Sequence, residues 1–207
     1  MAKRYFVTAI GTDSGKTVVS AILAQALQAD YWKPIQSGLP RDTDTVMTLV
    51  HNLRTVFHRE AYLLSIPISP HAAARLEEIE IHMANIEAPA TDNALVIEGA
   101  GGVLVPINDE HFVIDLVARL NAEVILVANI YLGSINHTLL TINELKRRRV
   151  NVKGIVFNGP ENGESERIIL KHSGYKRLLR VNQEKAITPE VIERYAKKLA
   201  DSKVLEE

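Results

Sequence analysis

Seven residues, Gly11-Thr12-Asp13-Ser14-Gly15-Lys16-Thr17, place a lysine and a hydroxyl directly after a glycine. An apolar run precedes them, and residues 17–28 follow with apolar side chains at helical spacing. Glycine lets backbone approach an anion closely, and free amides at a helix start carry partial positive charge. The amides of Asp13, Ser14, Gly15, Lys16, Thr17 and Val18 are therefore expected to face phosphates. Lys16 then reaches the outer phosphates, and the Thr17 hydroxyl is placed to ligate magnesium. A bare Gly-Lys-Thr is a weak signal. Its position between a buried strand and an amphipathic helix strengthens it, and the expected ligand is a nucleotide.

Phosphoryl transfer also needs carboxylates and further cations. Glu98 closes the apolar run Ala94–Ile97 and precedes Gly99-Ala100-Gly101-Gly102. At the carboxyl end of a strand it would face the loop, with small residues leaving room for a ligand. Asp44 precedes a helical pattern, where it reads equally as a magnesium ligand or a helix cap. Lys33, before Pro34 and Gln36-Ser37-Gly38, reads as a second charge over the phosphates or as a surface lysine. Asn158, followed by Gly159-Pro160, suits a base edge or a turn.

The elements that must position these groups are legible as alternation. Apolar runs at residues 4–10, 94–97, 124–128 and 154–157 are apolar at consecutive positions, as in strands covered on both faces. Helical patterns lie between them, and a last helix is expected from Thr188-Pro189, a cap followed by Pro at the first helical position. This predicts an α/β protein, a doubly wound, mainly parallel sheet of the P-loop NTPase kind, as one catalytic domain over residues 1–207. Segments 58–75 and 82–93 are expected to be loops or short helices over the sheet edge.

Composition narrows the function. Lys+Arg number 24 against 25 Asp+Glu, so a net charge of -1 gives no basic face for nucleic acid. The run Lys146-Arg147-Arg148-Arg149 suits a helix end. No cysteine is present, which excludes thiolate chemistry and Cys-ligated zinc. No apolar run approaches the ~20 residues of a membrane span, and no secretory signal is read at the start, so a cytoplasmic location is expected.

Together these segments carry a resemblance. The loop from Thr8 to Thr17, Lys33-Pro34-Ile35-Gln36-Ser37-Gly38, Asp44 and Ser69-Pro70-His71 come first. Glu98-Gly99-Ala100-Gly101-Gly102 with Pro106, Leu132-Gly133-Ser134-Ile135-Asn136-His137, and Asn158 follow. In order and spacing they resemble the dethiobiotin synthetases over roughly residues 4–160. The resemblance implies ureido ring closure on 7,8-diaminononanoate with carbon dioxide and ATP, through a carbamate and a carbamic-phosphoric anhydride. It implies magnesium among Thr17, Asp44 and Glu98, and charge stabilisation by Lys16 and Lys33. Thr12 and Ser37 would hold the carbamate end, and residues 99–101 would line the phosphate and substrate site. Asn158 with Gly159 would meet the base. Gly133, Ser134, Ile135 and Asn136 would take the substrate carboxylate at a homodimer interface.

Two departures stand out. Ala9 replaces a glycine usual in that family, and Leu178-Leu179-Arg180-Val181-Asn182-Gln183 stands where a Gly-x-Ile-Pro-like segment frames adenine. Relaxed base selectivity is expected. The alternatives are an ATPase switch of the partitioning type or a regulatory module without chemistry. The first is disfavoured because residues 9–15 hold no second lysine and the tail is not basic, the second because Lys16, Thr17, Lys33, Asp44 and Glu98 are all present.

Overall fold

The computed structural model describes residues 2–206. Strand β1 (Arg4–Ala9) leads through the glycine loop into helix α1 (Lys16–Leu27). Its apolar residues are consecutive because both faces are covered: Phe6 joins a core with Ile97 and Leu126, and Val7 joins the opposite core with Val19 and Ile22. β2 (Asp30–Trp32), β3 (Ile35–Ser37), α2 (Asp42–Leu49), β4 (Phe57–His58), β5 (Tyr62–Leu64) and α3 (Pro70–Leu76) follow. After a short 3-10 turn come β6 (Leu95–Gly102), α4 (Asp115–Arg119), β7 (Glu123–Asn129), α5 (Ser134–Arg147) and β8 (Val152–Gly159). The chain closes with α6 (Gly163–Ser173), β9 (Arg177–Asn182) and α7 (Pro189–Asp201). At α7 the Thr188 side chain accepts from the amide of Val191, with Pro189 in the first turn, as the sequence implied.

Seven strands form one sheet in the order β4-β2-β6-β1-β7-β8-β9, and its neighbours pair in parallel. The chain leaves β1 toward β2 but leaves β6 toward β7, on the other side of β1. The order therefore reverses at β1 and β6, and loops diverging there open a crevice at the carboxyl ends of the strands. Register sharpens it. Val7 lies opposite Glu98, but Ala9 lies opposite Gly102, so residues 99–101 bow out of the ladder at the crevice.

The structure revises three boundaries. The strand expected to end at Ile97 runs on to Gly102, so Glu98 projects from within β6. The segment 58–75 is more regular than expected, because β5 pairs with β3 in a small second sheet. Leu178–Asn182, standing where an adenine-framing segment was expected, belongs to a strand, β9, at the sheet edge and paired with β8. The basic run ends α5, where Arg147 and Arg148 both bind Glu144 and hold its carboxyl at about 2. No helix among the described residues is long and apolar enough to cross a membrane.

Candidate active site

The glycine loop is fixed by its own polar atoms. Gly15 caps α1 in the left-handed region (φ +92°), and Asp13 is also left-handed at φ +55°. The Ser14 hydroxyl donates to the carbonyl of Gly11 at 3.1 Å, and Lys16 Nζ donates to the same carbonyl at 3.3 Å. The amides at the start of α1 are left facing the crevice, which is the geometry that receives phosphate.

Behind the loop stands a buried charge cluster. Glu98 is 1% exposed; its Oε1 accepts from the Thr17 hydroxyl at 2.9 Å and from Lys33 Nζ at 3.1 Å, and its Oε2 accepts from the Tyr31 hydroxyl at 3.0 Å. Lys33 also pairs with Asp42 at 2.7 Å. Burial opposes the charge on Lys33, but Glu98 and Asp42 outweigh it and raise its pKa above the ordinary lysine value. Lys16 goes the other way: burial first, then the charge of Lys33, lowers its pKa despite nearby carboxylates. Two buried cations thus share one place, each held ready for a polyanion.

Lys16, Thr17, Lys33, Asp42 and Glu98 line a cavity of about 630 Å³ together with Thr12, Asp13, Gly15, Val18, Ser37, Ala100 and Gly101. Pro67, Ile68, Ser69 and Pro70 form the wall opposite the loop. Ser37 brings a buried hydroxyl that has no hydrogen-bond partner, a feature that suits a carbamate oxygen. Gly99 lies behind the lining, where a side chain would strike the Phe6 ring.

Asp44 is not brought in. Its carboxylate is bound by Arg41, three residues earlier, with the Nε bond at 3.0 Å, and that contact lowers its pKa. Arg41 stands at the helix cap, so the first-turn carboxylates share it and the lysine: Asp44 takes Arg41 and Asp42 takes Lys33. Asp42, in the cavity lining, and Tyr31, buried against Glu98, are the residues of this cluster that sequence reasoning missed. Lys33 was the available signal for Asp42, since a buried lysine demands a neutralising acid.

Beside the loop, Asn158 Nδ2 donates to the carbonyl of Ser14 at 3.0 Å, leaving Oδ1 as an acceptor. Arg180 on β9 donates to the Gly159 carbonyl at 3.0 Å, and its Nε lies 2.9 Å from Glu166 without the alignment of a hydrogen bond. Gly133 to Asn136 lie apart from the cavity. Gly133 is left-handed (φ +99°) and caps α5, Ser134 is buried with an unpartnered hydroxyl, and Asn136 is exposed. Beside them Tyr131 binds His137 at 2.6 Å, and Leu132 is fully exposed.

No group of three or more His, Asp or Glu side chains suited to a metal occurs among the described residues. Magnesium on a nucleotide does not need one, because phosphate oxygens and water complete its shell. The adjacent oxygens of Thr17 and Glu98 supply the hard donors such an ion takes.

Known proteins agree with this geometry. The AAA domain family matches residues 3–191. The ATP-dependent dethiobiotin synthetase BioD of Cytophaga hutchinsonii is 63% identical over 202 residues, covering 97% of this chain and 98% of that protein. That of Christiangramia forsetii is 48% identical, covering 96% of each. Among solved structures, a putative plasmid partition protein of Borrelia burgdorferi bound to AMPPNP aligns with TM-score 0.57 at 11% identity, over 100% of this chain and 98% of that one. The septum site-determining protein MinD of Pyrococcus horikoshii with Mg-ADP aligns at 0.53 and 14% identity, over 99% and 91%. At such identities these two matches establish the fold alone.

Proposed function

The chain belongs to the ATP-dependent dethiobiotin synthetases, ligases of biotin synthesis, and from that premise we propose how its residues carry the reaction. The supporting observation is that Lys16, Thr17, Lys33 and Glu98 meet in one cavity at the reversal of strand order. The substrates are 7,8-diaminononanoate, carbon dioxide and ATP, handled by one catalytic domain.

One amine of the diamine carries the carbon dioxide as a carbamate, held by the hydroxyls of Thr12 and Ser37. A carbamate oxygen attacks the γ-phosphorus of ATP, and ADP leaves. The second amine then attacks the carbamate carbon, the C–O bond breaks, and phosphate departs as the ureido ring closes. Reaction between two anions needs positioning and neutralisation more than a nucleophile from the protein. The amides of residues 13–18 hold the phosphates, Lys16 spans the outer ones, and Lys33 meets the carbamate. Ala100 and Gly101 let the ligand approach the backbone.

Magnesium would be held by Thr17 and Glu98, and when bound would neutralise phosphate charge. Asp44 would join them on release from Arg41. These two side chains are 33% and 49% exposed, and a surface pair costs only about 0–1 kcal/mol to break. Asp42 is the poorer candidate, because taking it would leave buried Lys33 under-neutralised.

The substrate tail runs from the cavity past Thr12 toward an apolar hollow lined by Ile10, Val103, Leu104, Val105 and Leu140. Leu104, Leu132 and Leu140 are 48%, 102% and 59% exposed, an apolar surface on this face of the chain. A second copy covering it makes a homodimer, with the amides of Gly133, Ile135 and Asn136 receiving the carboxylate beside Ser134, whose own amide donates to Tyr131. Light scattering should give twice 23.0 kDa, and Leu140→Asp should give monomers. Gly133→Trp should raise the KM for the diamine and spare that for ATP. A wild-type protein that is monomeric and fully active refutes the arrangement.

The enzyme and the partitioning-type switch differ in one measurement. ADP release should require both diamine and bicarbonate. Release at an equal rate without diamine would favour the switch.

A further inference from the structure

We propose that Tyr31 is a positioning residue for this reaction, committing one oxygen of Glu98 to its phenol so that the other is presented to Thr17, Lys33 and the magnesium of the bound nucleotide. The inference rests on the magnesium reading above. Nothing in the phosphate loop or the family resemblance points to this residue.

The placement follows from register. Trp32 pairs with Ile97 in the parallel β2–β6 ladder, which carries Lys33 up beside Glu98. Tyr31 lies two residues before Lys33, so its side chain emerges on the same face. A diagonal neighbour on an adjacent strand is within reach of a long aromatic side chain, and the phenol spans the gap to Oε2 at 3.0 Å. Its ring is fully buried, in the core with Val46 and Val96 and tilted against Phe57 at 6.2 Å between centroids. The ring is therefore a rigid post with a donor at its tip.

Oε2 accepts no other hydrogen bond among the described residues, whereas Oε1 accepts from both Thr17 and Lys33. Without the phenol the carboxylate is free to turn both oxygens onto Lys33, which would withdraw the oxygen offered to the ion and bind the lysine more tightly. Partners that orient a metal-ligating carboxylate act through such bonds, and their loss weakens metal binding by about 10- to 100-fold.

The test is calorimetric titration of magnesium into ADP-saturated protein, with metal-free ADP binding measured alongside. Tyr31→Phe should weaken magnesium binding by about 10- to 100-fold while leaving metal-free ADP binding unchanged. Phe57→Leu, which disturbs the same packing but keeps the hydroxyl, should bind magnesium as the wild type does. Equal magnesium affinity in Tyr31→Phe, or an equal loss in Phe57→Leu, overturns the proposal. If Tyr31→Phe does not fold, fluorine NMR of wild-type protein carrying meta-fluorotyrosine at its 6 tyrosines answers instead. The Tyr31 resonance, assigned by substituting the others in turn, should shift when magnesium joins ADP, and a stationary one overturns the proposal. Wild-type protein that takes up no magnesium with ADP would instead defeat the underlying magnesium reading.

Discussion

Gly15 and Asn158 are fitted against each other: Asn158 Nδ2 donates to the carbonyl of Ser14 at 3.0 Å, and a Cβ on Gly15 would stand 2.3 Å from that nitrogen. The phosphate loop and Asn158 are therefore one mechanical unit. Gly15→Ala strains a left-handed backbone and displaces Asn158, so thermal stability should fall by about 1–3 kcal/mol. Asn158→Ala in the same chain should recover part of that stability but none of the base discrimination. Unchanged melting of Gly15→Ala would contradict the fit.

The two lysines should separate by pH. Lys16→Ala and Lys33→Met should each lower turnover by about 10²–10³-fold with circular dichroism preserved. The pKa of Lys16 is lowered, so its charge is full below that pKa and is lost as pH rises through it. ATP affinity of the free enzyme should therefore decline below the ordinary lysine range. Lys33 is the second cause of that depression, after burial. In Lys33→Met the decline should move to higher pH, as binding titrations would show.

Asp44→Asn should raise the magnesium concentration needed for half-maximal turnover by about tenfold or more. Arg41→Ala, which frees the same carboxylate, should not raise it. If Asp42→Asn alone changes the magnesium requirement, the ligand is Asp42 and the assignment to Asp44 fails.

Base selectivity should be relaxed. Gly159 lies opposite Asn182 at the end of β9, and Gln183 beyond it is exposed, so polar residues replace the expected apolar frame. Catalytic efficiency with ATP should exceed that with GTP or CTP by less than about a thousandfold, or 4 kcal/mol. A larger preference would show that Arg180 and the Gly159 carbonyl it holds supply the missing recognition.

The fold was legible where burial is two-sided. β1, β7 and β8 are apolar at consecutive positions because each faces both cores, and α1 and α7 carry helical spacing. β9 was harder to read, because it sits at the sheet edge and mixes arginine and asparagine with leucine and valine. Within the site, Lys16, Thr17 and Glu98 were visible because the first two complete a Gly-Lys-Thr triplet and the third precedes Gly99-Ala100-Gly101-Gly102. Asp42 and Asp44 share one helical turn, and only the fold shows which faces Lys33. Tyr31 looks like any strand aromatic until β2 is seen beside β6, since 67 residues separate it from Glu98.

The central claim is that this cavity moves the γ-phosphoryl group of ATP onto a carbamate formed on the diamine. A single-turnover reaction with heavy-oxygen-labelled carbon dioxide, quenched before exchange with water, tests it directly. The account predicts labelled oxygen in the released phosphate, passed through the C–O–P bridge, and no phosphate when the diamine is omitted. Dethiobiotin formed alongside wholly unlabelled phosphate would contradict it.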